Sequence, residues 1–111
     1  MNKYQHLFSP IKIGTVEVPN RIALLPMGVF SPRMMNNDGS YTKDGADYYI
    51  ERAKGGTGLI ITGLVPVPKG AGLPSIVNDV KSYTENMKYL ADGVHKYGSK
   101  VFVMLWAMSG R

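Results

Sequence analysis

Residues 58–62 read GLIIT, and what this stretch forms decides the architecture. Leu59, Ile60 and Ile61 make an unbroken apolar run, opened by Gly58 and followed within two residues by Gly63. It is too short for a helix. A short, continuous, branched run suits a strand buried on both faces, as in parallel sheets. On its N-terminal side, Ala46, Tyr49, Ile50 and Ala53 recur at helical spacing over 42–54, and Gly55-Gly56 stops the stripe. On its C-terminal side, a Pro/Gly-rich loop over 66–80 leads to a second stripe, Met87, Leu90, Ala91 and Val94. That pattern predicts a helix near 83–97, opened by Ser82-x-x-Glu85 as a capping box and closed by Gly98.

Further out, RIALL (21–25) and VFVMLW (101–106) repeat the signature of a buried strand. Strands are therefore expected near 21–26, 57–63 and 101–106. IKIGTVEV, 11–18, reads as a small hairpin around Gly14. The order is hairpin, β, α, β, α, β, an α/β pattern. Parallel strands joined by helical crossovers are its economical arrangement. A doubly wound sheet and a (β/α)8 barrel both use it. A barrel needs roughly 250 residues, so a 111-residue chain would supply only its first three strands.

Composition bounds the function. Apolar residues make up 44% and charged residues 19%, which fits a globular chain rather than a disordered one. There is no cysteine, so these residues build no disulfide, zinc knuckle or iron–sulfur ligand set. The start of the chain has no apolar signal core, and no run approaches the roughly 20 residues that cross a bilayer. A cytoplasmic location is expected. The net charge of +5 comes from scattered lysines and reads as solvated surface, not as a nucleic-acid footprint.

In either architecture ligands sit at the C-terminal ends of the strands. Those ends are Pro26-Met27-Gly28, Thr62-Gly63-Leu64 and Trp106 to Arg111. Glycines there let a flat ligand approach the backbone, or serve as plain turn residues. KGAGLPS (69–75) lacks the spacing and terminal Lys-Ser/Thr of a phosphate loop, and no Gly-x-Gly-x-x-Gly follows the first strand. That weakens a small nucleotide-binding βαβ module. His6 and His95 are isolated, so no metal site is expected. No Ser/His/Asp set or carboxylate pair can be assembled. Tyr48 and Tyr49 read as packing residues of the first helix.

Three segments taken in order carry a family likeness: LFSPIKIGTVEVPNRIALLPMG (7–28), DGSYTKDGADYYIERAKGGTGLIITG (38–63) and KVFVMLWAMSGR (100–111). They resemble the Old Yellow Enzyme family of NADH:flavin oxidoreductases over almost the whole chain. The likeness is strongest to the branch of 2-enoate reductases, 2,4-dienoyl-CoA reductases and bile-acid-inducible oxidoreductases. The length of MLWAMSGR, ending on Arg111, fits that branch.

The resemblance implies the N-terminal portion of a TIM barrel, about three βα units with the 11–18 hairpin capping the bottom. It implies FMN at the barrel mouth. Leu25, Pro26, Met27 and Gly28 fall where the first strand lies along the flavin. Gly28 stands where relatives often carry a tuning Thr or Cys. Gly63 and Leu64 match the second strand's flavin contact. Phe30 falls where some relatives place an aromatic bordering the substrate. The family's third strand usually ends in a Gln that bonds the flavin's pyrimidine edge; that position is Met104, whose thioether cannot donate.

By the same resemblance the reductant is NADH or NADPH, and the substrate is a small alkene conjugated to an acid, thioester or ketone. The family's substrate-anchoring His pair, proton-donating Tyr and phosphate loops come later than residue 111. So would an iron–sulfur cluster and FAD, which belong only to longer relatives. The chain by itself is expected to be inactive. The second reading is a non-catalytic remnant, or a half-barrel assembling with another chain. Homo-oligomers are compatible with the family; nucleic-acid and membrane partners are not expected.

Overall fold

The computed structural model describes residues 3–28, 31–68 and 74–107. Strands β1 (Ile11–Ile13) and β2 (Val16–Val18) pair antiparallel, Ile11 opposite Val18. Gly14 turns between them at φ +60°, a left-handed conformation that favours glycine. Then follow β3 (Ala23–Leu24), α1 (Lys43–Lys54), β4 (Leu59–Pro66), a 3-10 turn (Ile76–Asn78), α2 (Val80–His95) and β5 (Lys100–Trp106). The order within the second sheet is β3-β4-β5, and both pairings are parallel. The chain is an α/β unit whose sheet, among the described residues, is open rather than closed into a barrel.

Three boundaries differ from those read in the sequence. The first strand keeps only Ala23 and Leu24 of the expected 21–26. Upstream, the Ile22 carbonyl accepts from the N–H groups of Gly58 and Leu59, so the attachment starts there; downstream, Pro26 has no N–H to continue the ladder. The second strand does not stop at Gly63 but runs to Pro66. A register shift between Ile61 and Leu64 absorbs the glycine, and Leu64, Val65 and Pro66 then pair with Met104, Leu105 and Trp106. The second helix begins at Val80, not near 83. Asp79 is its cap, accepting from the Ser82 N–H at 3.0 Å. The Ser82 hydroxyl donates instead to Asp38, so Ser82-x-x-Glu85 is not the capping box.

The first helix starts where Thr42 accepts from the Gly45 N–H at 3.1 Å, a cap worth about 1 kcal/mol. Asp44 sits in its first turn and Arg52 and Lys54 in its last, each favourable to the helix dipole. Ala46, Tyr49 and Ala53 from α1, and Leu90 and Val94 from α2, are buried against Ile60 and Val65 of β4. Met35 and Tyr41, from the loop between β3 and α1, complete this core. Each fully buried branched side chain contributes about 1.5–3 kcal/mol. Leu25, Met27, Val103 and Leu105 remain exposed along the sheet.

Candidate functional site

The site grows from one glycine. Gly63 lies at the register shift of β4, directly beneath the segment that leaves β3. A Cβ on Gly63 would overlap the Met27 carbonyl oxygen and come 2.9 Å from its carbon. A Cβ on Gly28 would come 3.0 Å from the Leu64 side chain. Leu64 is in register with Met104 on β5. The fold thus brings Met27, Gly28, Gly63, Leu64 and Met104 into one continuous patch at the C-terminal ends of three parallel strands. Leu25 and Met27 are 70% and 75% exposed and line a cavity of about 150 Å³ with Tyr48 and Tyr49. Pro26 is half-buried between them. Phe30 and Arg111 lie outside the described residues.

The register shift takes the backbone groups of Gly63 out of the regular ladder, and buried orphans of this kind need other partners. Two tyrosines supply them. The Gly63 N–H donates to the Tyr49 hydroxyl at 2.9 Å. The Tyr49 hydroxyl donates to that of Tyr41 at 3.4 Å, and the Tyr41 hydroxyl donates to the Gly63 carbonyl at 2.9 Å. The three bonds close a ring with one sense of donation. Such chains polarise one another. The Thr62 hydroxyl adds a second donor to the same carbonyl at 3.0 Å and accepts from the Met104 N–H at 3.4 Å. Burial above all, and then the Tyr49 hydrogen bond, push the Tyr41 hydroxyl well above the ordinary tyrosine range. It stays a donor at any working pH.

Asp38 secures the loop that carries Tyr41. Its carboxylate accepts from the Ser40 N–H at 2.8 Å and the Ser40 hydroxyl at 2.5 Å. It also accepts from α2, from the Ser82 hydroxyl at 2.6 Å and the Asn86 amide at 3.2 Å. Desolvation raises its pKa, but the hydrogen bonds from Ser40, Ser82 and Asn86 together outweigh that and hold it below the ordinary value.

The patch offers exposed apolar side chains beside bare backbone, which suits the face of a flat ring. No nucleophile or acid–base pair stands in it. Among the described residues no group of three or more metal-ligating side chains occurs, and no helix is long and apolar enough to cross a membrane. The ring system of FMN fits this chemistry: the exposed Leu25, Met27 and Gly28 can border its face, while the buried Gly63 lies beneath Met27 and supports that segment. Its phosphate does not find a partner here, since 25–28, 63–68 and 104–107 contain no basic side chain.

The model of the NADH:flavin oxidoreductase / NADH oxidase family matches residues 6–111. The chain belongs to that family. A cinnamate reductase of Clostridium sporogenes is 43% identical over 99% of this chain and 17% of its own length. An NADH oxidase of Thermoanaerobacter brockii is 37% identical, over 95% of this chain and 16% of its own. Among solved structures, the Old Yellow Enzyme of Pichia sp. AKU4542 superposes with a TM-score of 0.75 at 31% identity, covering 93% of this chain and 26% of that one. The chain therefore spans between about a sixth and a quarter of these relatives. Its three parallel strands and two helices are a portion of the Old Yellow Enzyme barrel.

The sequence names Thr62 only as part of a strand end and does not single out Tyr41. Tyr49 was expected only to pack, and it does pack, but its hydroxyl also takes the Gly63 N–H. The available signal was Gly63 itself, since a glycine inside a strand pattern marks a bulge or a close backbone approach.

Proposed function

We propose that this chain forms one wall of an FMN site in an ene-reductase-type oxidoreductase that draws hydride from NADH or NADPH. The observation that carries the reading is the contiguity of Met27, Gly28, Gly63, Leu64 and Met104, together with membership of the family. Bound FMN would supply hydride to the β-carbon of an alkene conjugated to an acid, thioester or ketone, while a proton completes the α-carbon.

The chain's own residues would bind and orient. Leu25 and Met27 would cover part of the ring face and keep water from it. Gly28 would let the ring approach the backbone, Gly63 would let the Met27–Gly28 segment lie close over β4, and Met104 would border the ring's pyrimidine edge. Likeness to a cinnamate reductase favours an arylacrylate-type enoate among the possible alkenes. A cytoplasmic location, where NAD(P)H is supplied, belongs to the same reading. The test is to purify the gene product at its full encoded length and record its visible spectrum. NAD(P)H oxidation is then followed with enoates, enoyl thioesters and oxo-steroids. A yellow protein that reduces one of these classes supports the proposal. A colourless protein that binds no added FMN favours the second reading, a non-catalytic remnant.

A further inference from the structure

We propose that Tyr41 and Tyr49 are positioning residues for the flavin: their hydroxyl ring around Gly63 sets the direction of the backbone amides that border the cofactor. This rests on the flavin reading above. Phe at either position would keep the edge-on ring pair of 41 and 49 at nearly the same volume, so packing alone does not call for either hydroxyl. Both hydroxyls converge on one residue, and on both of its backbone groups. That residue is the one over which the Met27–Gly28 segment lies too close to admit a Cβ.

The direction of the amides follows from elementary geometry. The structure has no cis peptide bond, so the Gly63–Leu64 peptide is trans. Its C=O and N–H point to opposite sides. With the carbonyl held by Tyr41, the Leu64 N–H is directed away from the tyrosine pair. Through Thr62 the same carbonyl is linked to the Met104 N–H on β5. Two strand ends of the patch are therefore oriented by one tyrosine pair from the helix side of the sheet. Tyr41 sits in a loop fastened by Asp38, which ties that orientation to α2.

The experiment uses the full-length protein and three variants. Tyr41→Phe and Tyr49→Phe each remove one oxygen at nearly constant volume. Val94→Ala truncates the same core cluster without touching Gly63. Flavin affinity, the visible spectrum of bound flavin and, without flavin, deuterium exchange of the 59–66 backbone are measured for each. Each tyrosine variant is expected to weaken FMN about 3- to 10-fold, the effect of losing one ordinary hydrogen bond. Each should also shift the absorption maximum and speed exchange in 59–66. Val94→Ala should lower the melting temperature and leave affinity and spectrum at parental values. Parental affinity and spectrum in both tyrosine variants would overturn the inference, as would an equal loss in Val94→Ala. A parent protein that binds no flavin would overturn the functional proposal itself, and this inference with it.

Discussion

The Tyr41 hydroxyl donates to the Gly63 carbonyl at 2.9 Å, reaching across 22 residues of chain. This one bond joins the loop before α1 to the irregular point of β4. With the Thr62 hydroxyl as second donor, it lets the sheet break register there with the Gly63 carbonyl satisfied in the core. It also places a glycine where two strand ends come within contact distance, and the consequences can be measured.

Gly63→Ala is the sharpest structural test. The obstructing atom is a backbone oxygen, that of Met27, which cannot rotate away as a side chain could. Overpacking of this kind costs about 1–3 kcal/mol. A lower denaturant midpoint at unchanged slope is expected, with weaker FMN binding. A variant as stable as the parent would mean that the Met27 carbonyl does not lie against Gly63.

Gly45→Ala sets two effects against each other. In an exposed helix the change gains about 1 kcal/mol from propensity. Here a Cβ would overlap the Met34 carbonyl oxygen and lie 3.1 Å from its carbon. Sterics should win, giving a net loss in thermal unfolding. A rise in melting temperature would show that the 31–41 loop yields easily.

Asp38 gives a pH dependence with a defined sign. Its folded pKa lies below the ordinary 3.8, so the unfolded chain takes up the proton first as pH falls. The stabilisation is complete above 3.8 and is lost as pH drops through the lowered folded value. Asp38→Asn leaves donors from Ser82 and Asn86 facing an amide that offers only one acceptor oxygen. It should cost about 1–3 kcal/mol near neutrality. The gap to the parent should narrow as pH falls below 3.8. A gap that stays constant across that range would remove Asp38 from the acid response.

Met104→Gln tests the proposal that Met104 stands where the family carries a flavin-bonding Gln. If Met104 borders the pyrimidine edge, a Gln would add a hydrogen bond worth about 0.5–1.5 kcal/mol. FMN titration of the full-length variant should show tighter binding. Equal or weaker binding would mean that position 104 faces elsewhere.

Much of the fold was legible because burial writes itself into sequence. GLIIT and VFVMLW both form parallel pairings. Only β4 is central and buried; β5 is an edge strand on which Val103 and Leu105 are exposed, so the burial expected of it is not found among the described residues. The stripes of α1 and α2 put Ala46, Tyr49, Ala53, Leu90 and Val94 in the core they predict. The misread points share a cause: the deciding partner is distant in sequence. Gly63 and Pro66 look like turn residues, yet pairing of Leu64 with Met104 and of Pro66 with Trp106 carries the strand past both. Ser82 looks like a cap, yet Asp38, 44 residues earlier, takes its hydroxyl. Met27, Gly28, Gly63 and Leu64 read as strand ends from the α/β order; Met104, and the flavin roles of all five, come from family likeness. The Tyr41–Tyr49 ring that supports them has no local pattern to announce it.

The central claim is that Met27–Gly28, Gly63–Leu64 and Met104 together border the flavin. It is tested most directly by the crystal structure of the full-length protein with FMN bound. The account predicts the isoalloxazine ring within van der Waals contact, about 3.5–4 Å, of all three segments, with the Tyr41 hydroxyl still on the Gly63 carbonyl. A ring bound elsewhere, or one that contacts none of the three, would contradict it.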